Sequence, residues 1–396
     1  MIDVLIIGAG PAGSTLAALL ARDGYSVTIV EKAAFPRAKV CGEYLSPPSL
    51  AVFERLGLLD QFLELAGPVI SRVAAFHKGT VIEAQMPERG GRHGRALRRE
   101  VLDQLLLDNA IAAGAKVIQP AAVISAEKDG DGKIRSIIES GLEQKEIVTD
   151  IAVAAHGSWT IGKLHSQQRA GPPRPSDLVA FKTHFRGSSL PNDTMAILAL
   201  PSGYGGMVTC DSGHTSFSFC IKRDALAAAR EMYPSSSTGE SAFEYIRSRC
   251  KGLDDAVAGA QRSGEWLSAG VIRPGRHFFH DGTVYAVGNA AGESHAVIAD
   301  GITMAIRSAM IFRDSLVKVG WREPTFAHEY ERQWRRAFNS RISYSKLIAL
   351  LSMSPIACDL LSPFFRLFPS LLTAGAVLAG KSSADKHLAF GSSTAG

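Results

Sequence analysis

Cysteine is sparse in this chain of 396 residues: five in all, Cys41, Cys210, Cys220, Cys250 and Cys358, far apart and forming no C-x-x-C pair. An odd, dispersed set excludes a secreted disulfide framework and a cysteine zinc site. Metal-ligand spacings are missing as well, and so is any ordered Ser, His and Asp set for nucleophilic hydrolysis. No apolar stretch has the length of a bilayer span. Leu367–Gly380 carries no charge, but Pro355, Pro363 and Pro369 interrupt this region. Charge of one sign is not concentrated either: the net charge is +5, and basic residues are scattered outside 89–99, so no nucleic-acid module is expected. No internal repeat of roughly 20–50 residues is present. A hydrophobic share of 46% with 20% charged residues excludes a disordered chain, and the length suits two or three domains. The first apolar strand begins at Ile2. That leaves no room for a leader, so a cytoplasmic location is expected.

What is present is concentrated at the start. Val4-Leu5-Ile6-Ile7 reads as a strand buried on both faces. Gly8-Ala9-Gly10-Pro11-Ala12-Gly13 follows as G-x-G-x-x-G, and Ser14–Ala21 continues as a small-residue helix. The three glycines serve different ends. Gly8 allows the tight turn, Gly10 lets the backbone approach a pyrophosphate, and Gly13 lets the helix pack close on the strand. The helix N-terminus supplies free N–H groups and a positive dipole end for phosphate. A second strand, Ser26–Val30, ends in Glu31, about 20 residues beyond the glycines, where an acid accepts from a ribose 2′-hydroxyl and disfavours a 2′-phosphate. These residues predict a dinucleotide site for FAD or NAD.

Along the chain, residues 1–70, 97–165 and 270–320 read as one discontinuous dinucleotide-binding domain. It takes in a long helix, paired strands around Val117–Glu139, a strand at Ile147–Ala155 and another at Val284–Val287. Residues 71–96 and 166–269 read as a second domain. Phe181–Phe185, Met195–Leu200 and Thr215–Ile221 are strand-like, the last with period-two alternation. An antiparallel sheet is expected there, with helices at Asp224–Met232 and Ser241–Arg249. Residues 321–390 read as a helical C-terminal region, apolar over Ser345–Leu388, and Gly391–Gly396 as a disordered tail. The apolar helices either cover the catalytic domain or present an interfacial surface to a membrane or a lipophilic substrate.

Four separated motifs then line up. GAGPAG is the first; Phe35-Pro36-Arg37-Ala38-Lys39-Val40-Cys41-Gly42-Glu43 is the second; Arg99-Glu100-Val101-Leu102-Asp103 opens the long helix; Val287-Gly288-Asn289-Ala290-Ala291-Gly292 precedes Asp300-Gly301-Ile302. In this order they resemble the FAD-dependent oxidoreductases of the para-hydroxybenzoate-hydroxylase type, and among them the geranylgeranyl-reductase-like branch, related to flavin-dependent halogenases. The resemblance covers roughly residues 1–320. It implies an α/β chain, α+β overall: a Rossmann-type FAD-binding domain, an inserted antiparallel β-sheet substrate domain and a helical C-terminal region. It further implies that Gly8, Gly10, Pro11, Ala12, Gly13, Glu31, Lys32 and Val123 contact FAD, with Arg37 near its phosphates or ribityl chain. Cys41-Gly42 would lie against the isoalloxazine. Arg99, with Arg98 as its competitor, would reach the phosphates. Gly288 and Asn289 would hold the ribityl chain, and the helix start at Gly301-Ile302 would face the flavin edge where negative charge develops. Asn289 stands where the family has Asp, and Ala296 where related hydroxylases often have Pro. His156 replaces an acid in the family's second glycine motif. No second G-x-G-x-x-G follows a strand, so the electron donor is expected to be NAD(P)H docking transiently, or a separate reductase or carrier protein.

The resemblance leaves three chemistries. Halogenation is disfavoured, because none of Trp159, Trp266, Trp321 and Trp334 sits in the W-x-W-x-I-P segment of those halogenases. Hydroxylation of a lipophilic small molecule through a flavin C4a-hydroperoxide, in a lipid, aromatic polyketide or isoprenoid pathway, is favoured over saturation of an isoprenoid C=C bond. In the prenyl reductases a Tyr/Trp/Pro-rich strand occupies the place of Pro201–Met207, where this chain keeps Tyr204 alone among those aromatics. A flavin-binding partner without turnover is a third class. Cys41, Tyr204 and His295 are the candidate catalytic residues, with Glu293 beside them.

Overall fold

The computed structural model describes residues 3–157, 162–167, 171–235 and 237–381. A five-stranded sheet forms the base, in the order Val284–Ala286, Ile151–Ala154, Asp3–Ile7, Ser26–Val30, Lys116–Ile118, with every pair parallel. Leu5, Ile6, Ile29, Ala152 and Val153 have no accessible surface, as strands covered on both faces must. The helix Pro11–Arg22 starts on a proline at its first position, where the missing N–H costs nothing. It packs against the helices Arg99–Ala112 and Gly301–Val319. Gly13 makes this possible: a Cβ there would lie 1.9 Å from the Gly8 carbonyl oxygen.

The single strand expected over Ile147–Ala155 is two strands. Glu143–Thr149 pairs antiparallel with Ile134–Ser140 in a three-stranded sheet, and Ile151–Ala154 enters the parallel sheet. Asp150 sits at the break, accepting from the Asp3 N–H (3.0 Å) and from Lys133 Nζ (2.7 Å).

A seven-stranded sheet runs Gln261–Ile272, Leu178–Arg186, His214–Lys222, Gly203–Thr209, Thr194–Leu200, Arg72–His77, Thr80–Gln85. It is mixed rather than wholly antiparallel, because Thr194–Leu200 pairs parallel with Arg72–His77. Those strands come from distant parts of the chain, so no tight hairpin dictates their relative direction. Phe181, Phe185, Phe217, Phe219, Phe243 and Ile246 form a core between this sheet and the helices at 223–257. The helix Lys251–Val257 was not legible in the sequence pattern, whereas Arg223–Met232 and Thr238–Arg247 fall close to the expected spans.

The C-terminal part consists of helices Gly301–Val319, Phe326–Ser352, Pro355–Leu367 and Ser370–Leu378. The last two contain no buried residue. Among the described residues no single helix is long and apolar enough to cross a membrane; Phe326–Ser352 and Pro355–Leu367 pass by composition only as a pair bent by 99°. Residues 382–388 of the expected apolar region and the tail Gly391–Gly396 lie outside the described residues.

Candidate active site

One cavity of about 600 Å³ runs from the glycine turn to the seven-stranded sheet. At one end it is lined by Gly8, Gly10, Pro11, Ala12, Glu31, Lys32 and Arg37. An ideal Cβ on Gly10 would meet nothing closer than Arg37 Nη2 at 3.8 Å, so it would project into open cavity where the first helical turn presents its N–H groups. The Glu31 carboxylate is buried and braces this loop, accepting from the Ala9 N–H (2.8 Å) and the Ala33 N–H (3.1 Å). A pyrophosphate fits this donor set: backbone amides, a helix dipole and the Arg37 and Lys32 cations.

Two arginines share one buried acid. Arg99 clamps Asp103 through two 2.7 Å bonds, and Arg37 Nη1 reaches the same carboxylate at 3.1 Å. Of the neighbours Arg98 and Arg99, only Arg99 lines the cavity; Arg98 turns away to Asp211 (2.8 Å) and Glu100 (2.9 Å). Burial and the neighbouring Arg37 push Lys39, another lining residue, down to about 8.

The middle of the cavity is walled by Val40, Cys41, Gly42, Val123, Asn289, Gly301 and Ile302. Asn289 donates its Nδ2 to Glu293 (3.0 Å), which leaves its amide oxygen as the group suited to accept from a hydroxyl. Gly288 and Gly13 do not line the cavity. Their contribution is close packing: a Cβ on Gly288, which has φ +62°, would lie 2.8 Å from the Ala12 Cβ. For Gly288 this replaces the expected cofactor contact, because the turn places its Cα against the helix rather than toward the cavity.

The far end is apolar, lined by Met195, Ile197, Met207, Phe219, Ile272 and Val297, with Gly205 and Gly206 giving width. Tyr204 lines it and shares a 3.1 Å hydrogen bond with His295 Nδ1. His295 itself does not line the cavity. Its backbone N–H is tied to Ser345 Oγ (3.0 Å), which keeps the ring behind Tyr204, so the expected direct catalytic role becomes an indirect one. Burial, then the nearby Lys346 charge, pushes His295 down to about 4, and burial raises the Tyr204 hydroxyl well above its ordinary value. Both are neutral at pH 7.

His156 lines the cavity. Its Nδ1 must donate to the Gly157 carbonyl (2.6 Å), so Nε2 accepts from Ser166 Oγ (2.8 Å). Burial holds it at about 4, a neutral imidazole where the related motif carries an acid.

Sequence reasoning missed a buried charge cluster behind Cys41. Glu43 has a positive φ of 62° and no accessible surface. Its carboxylate accepts from Lys182 Nζ, from His184 Nε2 (2.8 Å) and from the Arg99 N–H (2.8 Å). Lys182 also holds the Lys39 carbonyl (3.3 Å). The available signal was a lone lysine in the apolar strand Leu178–Arg186.

A parallel sheet with a glycine turn, a phosphate-binding helix end and a second, apolar chamber in the same cavity defines a dinucleotide-binding flavoprotein fold. The FAD binding domain family matches residues 1–342, and the chain belongs to that family. FAD is its cofactor. Among curated relatives, menaquinone reductase of Mycolicibacterium smegmatis is 34% identical over 34% of this chain and 33% of its own length. Tryptophan 2-halogenase of Chondromyces crocatus is 24% identical over 80% of this chain and 61% of its own. The matched stretches thus span about a third of the mycobacterial relatives. Among solved structures, flavin-dependent brominase Bmp2 superposes with a TM-score of 0.78 at 20% identity, covering 96% of this chain and 93% of that one. PqsL of Pseudomonas aeruginosa gives 0.72 at 18%, covering 90% and 98%. These likenesses establish the shared fold; a geranylgeranyl-reductase branch does not emerge from them.

Proposed function

We propose that this FAD-dependent oxidoreductase is a monooxygenase acting on a lipophilic small molecule. The carrying observation is the continuity of the cofactor groove with an apolar chamber in one cavity. Bound FAD supplies the redox chemistry. Gly10, Arg37 and Lys32 hold its phosphates, and Asn289 its ribityl chain. Met195, Ile197, Met207, Phe219 and Val297 exclude water and bind the apolar body of the substrate. Tyr204 orients it: the hydroxyl hydrogen-bonds a substrate oxygen while His295, neutral, receives or returns the Tyr204 hydrogen bond from behind. Oxidative relatives, a rifampicin monooxygenase from Streptomyces venezuelae and an FAD-dependent monooxygenase from Aspergillus terreus, support the same reading. The identity to menaquinone reductase supports the second one, reduction of a lipophilic isoprenoid or quinone.

The substrate reading extends to the surface. Ile356, Leu360 and Leu367 are 81%, 78% and 71% exposed on one helix, with Phe364 between them, Arg366 on the same helix and Asp359 neutralised by Lys78 and His77. This face suits contact with an anionic membrane surface from which such a substrate enters. The electron donor is NAD(P)H or a separate reductase. The test is a turnover with ¹⁸O₂ and a panel of lipophilic phenols, quinones and isoprenoids. A product carrying one ¹⁸O is expected. A product that gains two hydrogens under strict anaerobiosis, with no oxygen incorporated in air, would overturn the assignment in favour of the reductase.

A further inference from the structure

The helix Ser370–Leu378 ends in Ala379-Gly380-Lys381. Gly380 has φ +88°, its N–H donates to the Val377 carbonyl (2.9 Å), and the Lys381 N–H donates to the Ala376 carbonyl (3.1 Å). This is the paired hydrogen bonding of a Schellman end, which reverses the chain after a helix. Glycine is required twice over at that position: the φ is left-handed, and a Cβ would lie 2.6 Å from the Arg341 guanidinium carbon. The reversal drives Lys381 inward, where it is 1% exposed, a rare state for a lysine without a dedicated partner.

Its partners belong to the cofactor site. Lys381 Nζ donates to the Ala299 carbonyl (2.5 Å) and lies 3.8 Å from Asp300 Oδ1 and 5.1 Å from the centre of the Tyr44 ring. Arg341 Nη1 binds the other Asp300 oxygen at 2.9 Å, and Ser46 Oγ donates to Oδ1 at 3.4 Å. Ala299, itself left-handed at φ +47°, lines the cavity together with Tyr44 and Gly301. Asp300 is the residue before the helix Gly301–Val319. Two cations, one from each of two C-terminal helices or their ends, therefore brace the turn from which that helix points into the cavity.

We propose that Lys381 is a positioning residue of the FAD site: by holding the Ala299 carbonyl, and with Arg341 the Asp300 carboxylate, it fixes the turn that starts the Gly301–Val319 helix beside the cofactor. The C-terminal helices thus complete the cofactor site, although the family match ends at residue 342. The role is independent of which reaction the enzyme performs.

The experiment uses the full chain, wild type and the variants Lys381→Met and Lys381→Arg. Apoprotein is titrated with FAD by flavin fluorescence, the visible bands of the bound flavin are recorded, and apoprotein melting is followed separately. Losing one charge-assisted hydrogen bond at the turn should raise the FAD dissociation constant of Lys381→Met on the order of tenfold. The bound flavin bands should shift, the FAD-loaded protein should lose more melting temperature than the apoprotein, and Lys381→Arg should recover most of the affinity. Wild-type affinity and bands in a folded Lys381→Met overturn the proposal. So does an apoprotein melting loss as large as that of the FAD-loaded protein, which would mark a structural role only. If Lys381→Met fails to fold, Lys381→Gln, which keeps a donor for Ala299 without the charge, is held to the same two outcomes.

Discussion

Replacing Glu43 by Gln tests the buried cluster behind Cys41. Glu43 and Lys182 have no side-chain exposure, so Lys182 cannot turn to water when its counter-charge is removed. Gln keeps an oxygen for the Arg99 N–H, which isolates the loss of charge. Breaking a buried pair from one side costs about 3–5 kcal/mol, or a fall of roughly 4–6 °C in the melting midpoint of a chain this size. Lys182→Met should cost a similar amount, because the carboxylate then keeps only His184, the Cys210 thiol and the Arg99 N–H, and loses its permanent counter-charge. The double variant Glu43→Gln/Lys182→Met removes both charges and should be less destabilised than the two losses added, with a coupling of about 2–3 kcal/mol. Acid should show the same cluster. Burial raises the Glu43 carboxyl, but the His184 hydrogen bond and the Lys182 charge outweigh it and hold the group at about 2, below its ordinary 4.5. Its stabilisation is therefore complete above about pH 4.5 and lost as pH falls toward 2, and Glu43→Gln should be less sensitive across that interval. Apoprotein melting at pH 7 and through the acid range is the assay. Additive single losses, or a Glu43→Gln cost below about 1 kcal/mol, would refute the argument.

The two glycines of the phosphate turn should fail differently. Gly10→Val should leave a folded apoprotein that no longer takes up FAD, since its side chain enters open cavity; Gly13→Val, 1.9 Å from the Gly8 carbonyl at its Cβ, should lose the fold itself, and circular dichroism with flavin content separates the two. Cys41→Ser should keep FAD bound but alter the flavin spectrum or turnover; an unchanged spectrum with unchanged turnover would remove Cys41 from the site. With neutral His156 and with Asn289 in place of acids, reduction by NAD(P)H alone should be slow and should quicken when substrate or a partner is added. Fast, saturable bleaching of the substrate-free enzyme in stopped flow would show that the substitutions leave the nicotinamide approach intact.

The sequence by itself determined the cofactor end of this protein. Val4–Ile7, the glycine turn, the helix after it and Glu31 lie within one short stretch. Their spacing alone places amides, dipole and acid around a dinucleotide, because strand, turn and helix are set by neighbouring residues. Tertiary structure decided what no local pattern encodes. Glu43 meets Lys182 and His184 across 139 and 141 residues, and Lys381 meets Ala299 across 82. The parallel pairing of Arg72–His77 with Thr194–Leu200 arises when two separate insertions close one sheet. Packing also reassigned residues the motifs had singled out: Arg98 turned outward to Asp211, Gly288 was pressed against Ala12, and His295 was held behind Tyr204 by Ser345. A motif fixes which chemical groups are near in the chain. Which of them faces the cavity depends on burial and ion pairing between segments that only folding brings together.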